Sequence, residues 1–275
     1  MLLDSQQLQL LLHFNNSERK AFMNASEKIK YASNKLMSYL EPYGYFSRYG
    51  KIWKCSLTGK FVISVSFSLT RWGELNEIGI SYSSFYSPID QSPYDKHNIV
   101  LNGFLPFISF LRAHGQGELT LNPLEPFEKT LDLILPYFDI TVMPYMAIDD
   151  EFEHYLNCSQ KLSELSMYVF KRPTYDINEL CYAYLSIGKK EIALEKIDIY
   201  IKACSVFIQY IQKNHTNFYN DGEQEKNTWL ANIDHANSLR QKVINEDVDV
   251  MIQTANIVYN SSMRACMDFF HLEHD

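Results

Sequence analysis

The spacing of the apolar residues changes along this chain, and that change restricts the fold more than any other feature. In "FVISVSFSL", residues 61–69, every second residue is apolar, and "EIGISYS", residues 77–83, repeats the alternation. A period of two is typical of strands that bury one face of an antiparallel sheet. The opposite face would carry small polar side chains and would either meet solvent or let a helix or a partner approach closely. These side chains are Ser64, Ser66, Ser68, Ser81 and Ser83.

A helical period precedes this strand region. Residues 17–40 carry apolar residues three or four positions apart, which predicts an amphipathic helix with residues 15–17 as N-caps. Pro42 and Gly44 would end it. The segment "YGYFSRYGKIWKCS" predicts one strand, or two short strands bent at Gly50, and residues 57–60 predict a turn.

The second half of the chain has helical periodicity almost throughout. Residues 124–138 and 149–170 predict helices, residues 176–213 predict a helical hairpin that turns at Gly188, and residues 223–270 predict a helix broken at 245–247. Asp176 and Glu179 have the spacing of a capping box. The pattern in residues 88–121 is weak and predicts only a helix near 101–113.

The resulting fold class is α+β. An N-terminal helix packs on an antiparallel meander sheet, and an all-α part with helical hairpins follows. Two domains are predicted, an α+β sheet domain over residues 1–121 and a helical domain or extension over residues 122–275. The boundary falls between residues 120 and 145.

Charge is distributed unevenly over these two parts. The formal net charge of the 275 residues is −8. Residues 1–121 contain 12 basic and 9 acidic residues, and residues 122–275 contain 13 and 24, so their net charges are +3 and −11. Residues 17–71 alone carry 10 basic and 3 acidic residues. Such asymmetry bears on binding partners and not on the fold.

Cysteine usage and hydropathy indicate the compartment. The five cysteines are scattered, odd in number and without a CxxC pair, which favours a reducing environment over a disulfide framework. No uncharged apolar run reaches the roughly 18 residues of a membrane span. The opening "MLLDSQQLQLLLHF" lacks the basic residues of a signal peptide. A soluble cytoplasmic protein without a membrane association is therefore expected.

A family resemblance rests on residues 35–83. "KLMSYLEPYGYFSRYGKIWKCS" followed by "FVISVSFSLTRWGELNEIGISYS" resembles a bacterial family of unknown function numbered 4304. The resemblance extends weakly to residue 145 through "ILPYFDITVMP". It implies bacterial origin and no assigned activity, although some relatives look like immunity or accessory proteins of toxin systems. The matching residues are Leu40, Pro42, Gly44, Tyr45, Trp53, Arg71, Trp72, Gly73 and Ile80.

No motif for nucleotide binding, hydrolysis or zinc binding occurs, so no catalytic residue, metal ligand or cofactor is predicted. Glu151 and His154 have the spacing of a carboxylate–histidine metal pair, but an acidic helix start explains them more simply. Arg71 and Trp72 lie in a corner between two strands and are interpreted as covering the end of the sheet, with a binding role as the alternative.

Three functions are weighed. The leading hypothesis is a non-enzymatic, immunity-like binding protein whose acidic helical half meets a basic protein partner. Its candidate binding residues are Arg71, Trp72, Asp149, Asp150, Glu151 and Glu153. The first rival is a nucleic-acid-associated protein that uses the basic, aromatic segment 17–71, against which the negative total charge argues. The second rival is an enzyme with a site in residues 88–121, with His97 or His114 as base.

Overall fold

A computed structural model describes thirteen stretches of the chain. They are residues 24–48, 50–69, 75–88, 94–95, 98–99, 103–106, 131–132, 135–136, 138–139, 142–169, 173, 175–214 and 222–257.

A helix and a sheet occupy the first part of the chain. Helix α1 is followed by a 3₁₀ turn at Glu41–Tyr43, and four consecutive strands then form an antiparallel meander. The sheet order is β1-β2-β3-β4-β7, and β5 and β6 form a separate two-stranded ladder. The bounds are α1 Ala25–Leu40, β1 Phe46–Arg48, β2 Lys51–Cys55, β3 Phe61–Leu69, β4 Leu75–Ser84, β5 Tyr94–Asp95, β6 Asn98–Ile99 and β7 Gly103–Pro106.

Helices dominate the second part. A short helix α2 precedes five longer helical segments, and residues 131–132, 135–136 and 138–139 are also helical. The bounds are α2 Met143–Met146, α3 Glu151–Val169, α4 Ile177–Ser186, α5 Lys190–Lys213, α6 Gly222–Asn245 and α7 over residues 248–257. The α+β class and the sequence of helix, meander and helices are therefore confirmed.

Local sequence signals explain the limits of α1 and the first hairpin. Asn24 accepts a hydrogen bond from the Glu27 backbone N–H at 3.0 Å, and the Glu27 carboxylate accepts one from the Asn24 N–H at 2.8 Å. This capping box fixes the helix start at Ala25. Helix α1 thus begins at Ala25, whereas the sequence predicts one helix over residues 17–40; residues 17–23 and the predicted caps at 15–17 lie outside the described residues. Gly44, with φ 80°, ends the 3₁₀ turn as expected, and Gly50, with φ 71°, reverses the chain between β1 and β2.

Strand β3 is an interior strand, and both of its faces are buried over most of its length. Ile63, Val65 and Phe67 are at most 7% exposed, which confirms the predicted apolar face. Ser64 is buried too, as is Ser83 on β4, whereas Ser66 and Ser81 are half-buried. The face with small polar side chains is therefore not simply exposed to solvent. Its burial agrees with the alternative that other groups approach the sheet closely there.

The helical hairpin forms as the sequence predicts. Asp176 Oδ1 accepts hydrogen bonds from the backbone N–H groups of Asn178 and Glu179, and Gly188, with φ 72°, reverses the chain. Helix α5 packs on α4 and α6. Helix α6 ends at Asn245, as expected from the break predicted at 245–247.

One prediction about helices is wrong, because residues 103–106 form strand β7 instead of part of a helix at 101–113. The helix predicted over 124–138 agrees with the helical residues 131–132, 135–136 and 138–139. The other residues of 101–113 lie outside the described residues.

Contacts between residues divide the chain into two compact units that interleave in sequence. The first comprises Met1–Lys54, Ser64–Ile80 and Pro106–Ala147, and the second comprises Cys55–Ile63, Ser81–Leu105 and Ile148–Asp275. The core of the first unit includes Leu36, Leu40, Ile52, Val65 and Phe138. The core of the second includes Phe61, Tyr155, Ile197, Phe207 and Val243. The boundary predicted between residues 120 and 145 falls mostly outside the described residues and stays a prediction.

Candidate functional site: an acidic helix start and an aromatic pocket

The acidic stretch at residues 149–153 forms the start of α3 in the second unit. Asp150 Oδ1 accepts a hydrogen bond from the Glu153 backbone N–H at 2.7 Å and thereby caps the helix. Asp149, Asp150 and Glu153 are exposed, and Glu151 is half-buried. Carboxylates at this position are also favoured by the helix dipole, so part of their role is structural.

Glu151 has a different task from its three acidic neighbours. Its carboxylate accepts hydrogen bonds from the Thr58 hydroxyl at 2.5 Å and from the Tyr86 hydroxyl at 3.3 Å. Both donors belong to the same unit as α3. Glu151 therefore holds the start of the helix in place, and the exposed carboxylates are those of Asp149, Glu153 and the capping residue Asp150.

Glu179, in the first turn of α4, is a buried carboxylate that the sequence assigns to a capping box. It does not bond back to Asp176, so this half of the predicted box is wrong. Instead it accepts hydrogen bonds from the Tyr86 N–H at 2.7 Å, the Ser87 N–H at 3.1 Å and the Ser87 hydroxyl at 2.6 Å. Burial raises the pKa of the Glu179 carboxyl to about 7, and Asp176 adds to the rise, while the bonds from Ser87 and Tyr86 oppose it.

An aromatic cluster surrounds these anchors. The Tyr155 ring lies 5.9 Å from Phe61, 6.4 Å from Tyr82 and 5.1 Å from Tyr86, measured between ring centroids. Burial raises the pKa of the Tyr82, Tyr86 and Tyr155 hydroxyls, so they stay neutral at physiological pH. His154 is buried with its ring edge-on to Phe61 at 5.2 Å. In the part of the chain that the structure describes, no three His, Cys, Asp or Glu side chains gather as metal ligands.

A pocket of about 340 Å³ opens at the start of α4, within the second unit. Its walls come from residues 173 and 175–178, from Tyr200 on α5 and from α6. Trp229 and His235 belong to the α6 wall, and the His235 Nε2 lies 2.8 Å from Asn178 Oδ1. Because an amide oxygen only accepts, Nε2 carries the hydrogen in this contact.

Two aromatic rings of the basic segment, Tyr45 and Trp53, lie in the core of the first unit. Tyr45 and Trp53 are each 3% exposed. The Lys54 ammonium lies 5.4 Å from the Tyr45 ring centroid, and the Lys51 ammonium lies 5.6 Å from that of Trp53. The Trp53 indole N–H donates to the Arg48 carbonyl at 2.9 Å. These two rings are committed to the core and are not available to stack on bases.

Several predicted positions lie outside the described residues. Arg71 and Trp72 are among them, as are His97 and His114. Of the cysteines, Cys55, Cys158, Cys181 and Cys204 are not in disulfide bonds, and Cys266 is not described. None of the described helices combines the length and hydropathy needed to cross a membrane.

Comparison with known proteins gives no family. No protein-family model, curated protein or solved structure matches the chain. The resemblance to family 4304 therefore remains an expectation drawn from its motifs.

Sequence reasoning missed Glu179 and the pocket. A signal for Glu179 was present, because "INELCYAYLS" is apolar on nearly every side of the helix and a carboxylate there needs partners. The pocket residues had no such signal, since Tyr175, Tyr200 and Trp229 lie on three separate segments.

Proposed function

We propose that this chain is a non-enzymatic binding protein that meets a basic protein partner through its acidic helical part, in the manner of an immunity or accessory protein. The observation that carries the proposal is the fixed, outward-facing acidic start of α3. Asp149 and Glu153 are exposed there, while Asp150 and Glu151 hold the backbone beneath them. This surface belongs to the segment with net charge −11.

Rigidity supports a binding role over simple solubility. Charged side chains on a mobile loop lose conformational freedom when a partner binds, whereas those on a capped and cross-linked helix start lose less. Opposite charge across an interface accelerates association and selects partners. An anchored acidic surface is therefore suited to a basic protein.

The nucleic-acid alternative has less support. Two of the aromatic residues proposed to stack on bases, Tyr45 and Trp53, are buried. The enzyme alternative rests on His97 and His114, which lie outside the described residues, so no contact of theirs supports it.

The proposal is tested with a synthetic peptide of alternating lysine and serine, titrated at low and at physiological salt. The double variant Asp149→Asn/Glu153→Gln removes two exposed charges and leaves the Asp150 cap and the Glu151 bonds intact. We expect its affinity to fall about fivefold at low salt, with a smaller loss at physiological salt because ions screen exposed charges.

The matched control is Glu191→Gln/Glu195→Gln, which removes two exposed charges from the start of α5. Its affinity is expected to stay within about twofold of the original. If both double variants weaken binding equally, the total charge and not the start of α3 attracts the peptide, and the proposed surface is wrong.

A further inference from the structure

Three aromatic side chains line the pocket at the start of α4, of which Tyr175 is half-buried and Tyr200, like Trp229, is 7% exposed. Tyr175 and Tyr200 meet edge to face, with centroids 5.4 Å apart and planes at 69°. Trp229 is 7% exposed, packs edge-on against Phe207 at 5.1 Å, and donates its indole N–H to Glu225 at 3.0 Å. Rings held this way offer a preformed site, because little freedom is lost when a ligand enters.

The charge of the pocket is negative. Asp176 is the one formally charged side chain among its described lining residues, which otherwise are aromatic, apolar, amide or imidazole in character. All described hydrogen bonds to the Asp176 side chain reach Oδ1, from Asn178 and Glu179. Asp176 is exposed and lines the pocket beside Tyr175, Tyr200 and Trp229. The Tyr175 hydroxyl is neutral near pH 7, since burial raises its pKa to about 12.

Negative charge beside aromatic faces is the chemistry that selects an organic cation. An ammonium or guanidinium group gains from the electron-rich ring faces and from a carboxylate, and its alkyl stem packs on the rings. A helix start usually attracts anions, but here the negative charge of Asp176 would repel them. A volume of about 340 Å³ lies in the lower part of the range for ligand sites and suits one long side chain.

We propose that this pocket receives the cationic end of an alkyl chain, as presented by a lysine or arginine side chain of the basic partner. The inference rests on the proposed function for the source of the cation. The chemistry alone also fits a free small amine, and the two sources are separated below.

The first experiment uses model compounds, so that it does not depend on the acidic start of α3. Nα-acetyl-arginine methylamide and Nα-acetyl-lysine methylamide are titrated while the indole N–H signals are followed by NMR. The Trp229 signal, assigned with Trp229→Phe, is expected to shift with both compounds. The neutral analogues, which carry citrulline and Nε-acetyl-lysine, are expected to leave it in place. A shift of equal size with the citrulline compound would overturn the proposal, because the pocket would then not select charge.

Two pairs of variants test the residues. Asp176→Asn removes the charge and keeps the cap, since Asn and Asp are equally good N-caps. Tyr175→Leu removes a ring, and Tyr175→Phe keeps it. We expect Asp176→Asn and Tyr175→Leu each to raise the titration midpoint about fivefold, and Tyr175→Phe to change it less than twofold. Unchanged midpoints for both Asp176→Asn and Tyr175→Leu would also overturn the proposal.

The source of the cation follows from comparing ligands. Peptides that carry one arginine or one lysine between serines are set against agmatine and cadaverine, which are free cations of the same length. Binding of the peptides at least tenfold tighter identifies a side chain, and equal or tighter binding of the free amines overturns the partner assignment.

If Asp149→Asn/Glu153→Gln lowers affinity for the basic peptide and the pocket variants do not, the proposed function stands and this inference fails. The opposite result identifies the pocket as the binding site and shows that the acidic start of α3 does not bind the peptide.

Discussion

A buried carboxylate loses its hydration shell and needs hydrogen bonds from the protein instead. Glu179 accepts three such bonds from Tyr86 and Ser87, which lie just after the end of β4. These bonds connect positions 92 and 93 residues apart in the chain. Removing the acceptor would leave the Tyr86 and Ser87 N–H groups unsatisfied. Glu179 is thus an anchor between the end of the sheet region and the helical hairpin, within one unit.

The titration of Glu179 makes stability depend on pH. Its pKa is raised from 4.5 to about 7 in the folded chain, so folding favours the protonated form. The stabilisation from this group is complete below about pH 4.5 and is lost as the pH rises through 7. We expect this group to lower the free energy of unfolding by about 3 kcal/mol between pH 4.5 and 8, measured by urea unfolding.

The control for this prediction is Glu179→Gln, which cannot titrate. The amide nitrogen of the glutamine is a donor and would face the N–H donor of Tyr86 or Ser87. We therefore expect the variant to be less stable than the original protein at pH 5. Between pH 4.5 and 8 its stability should fall less steeply than that of the original chain. Parallel profiles for the two proteins would show that Glu179 does not titrate in this range.

At the scale of single residues, sequence predicted the backbone roles better than the side-chain partners. Asp176, Gly44 and Gly188 act where the sequence places them, because caps and turns depend on a few neighbouring residues. Glu179 does not, because its partners at 86 and 87 cannot be inferred from local spacing. The same limit applies to Tyr175, Tyr200 and Trp229, whose grouping depends on how three segments pack.

At the scale of elements, the turn between α4 and α5 depends on Gly188. Its φ of 72° is costly for a side chain, although a Cβ there would meet no atom within 4 Å. We expect Gly188→Ala to reduce the free energy of unfolding by about 1 kcal/mol through backbone strain alone. Urea unfolding at constant pH measures this difference.

Gly188→Asn separates strain from crowding at the same position. Asn tolerates the left-handed conformation better than Ala, so it is expected to cost less despite its larger side chain. A larger loss for Asn than for Ala would mean that space, and not backbone conformation, limits this turn.

Element type was predictable wherever the apolar period was long. The alternation in 61–69 and the helical period in 176–213 each extend far enough to distinguish strand from helix. The short run "GFLP" at 103–106 does not, because four apolar or small residues fit either element, and there the structure has a strand. The sequence did not predict the start of α1 at Ala25, because the helical spacing of apolar residues extends to the N-terminal side of the capping box. Asn24 and Glu27 form this box.

At the scale of the whole molecule, net charge and burial together predict how the protein treats nucleic acids. With a net charge of −8, and with Tyr45 and Trp53 in the core, we expect no salt-sensitive binding to short single-stranded DNA or RNA at physiological salt. Fluorescence anisotropy of labelled oligonucleotides measures this. Micromolar binding that weakens steeply with salt, and that Arg48→Ala, Lys51→Ala and Lys54→Ala remove, would instead support the nucleic-acid alternative.

The interleaving of the two units has a consequence for biosynthesis. Residues 81–105 leave the ribosome long before the segment from residue 148 onward, with which they form one unit. The acceptor of the Tyr86 N–H is Glu179, which lies 93 residues later in the chain. Synthesis of those residues takes roughly 5–20 s at ordinary rates of translation. During that interval the end of β4 and the residues after it lack their final partners, and exposed strand edges are prone to pair wrongly. This unit is therefore completed only after the segment from residue 148 onward has been synthesised, and a nascent chain stalled before residue 179 is a natural client for a chaperone.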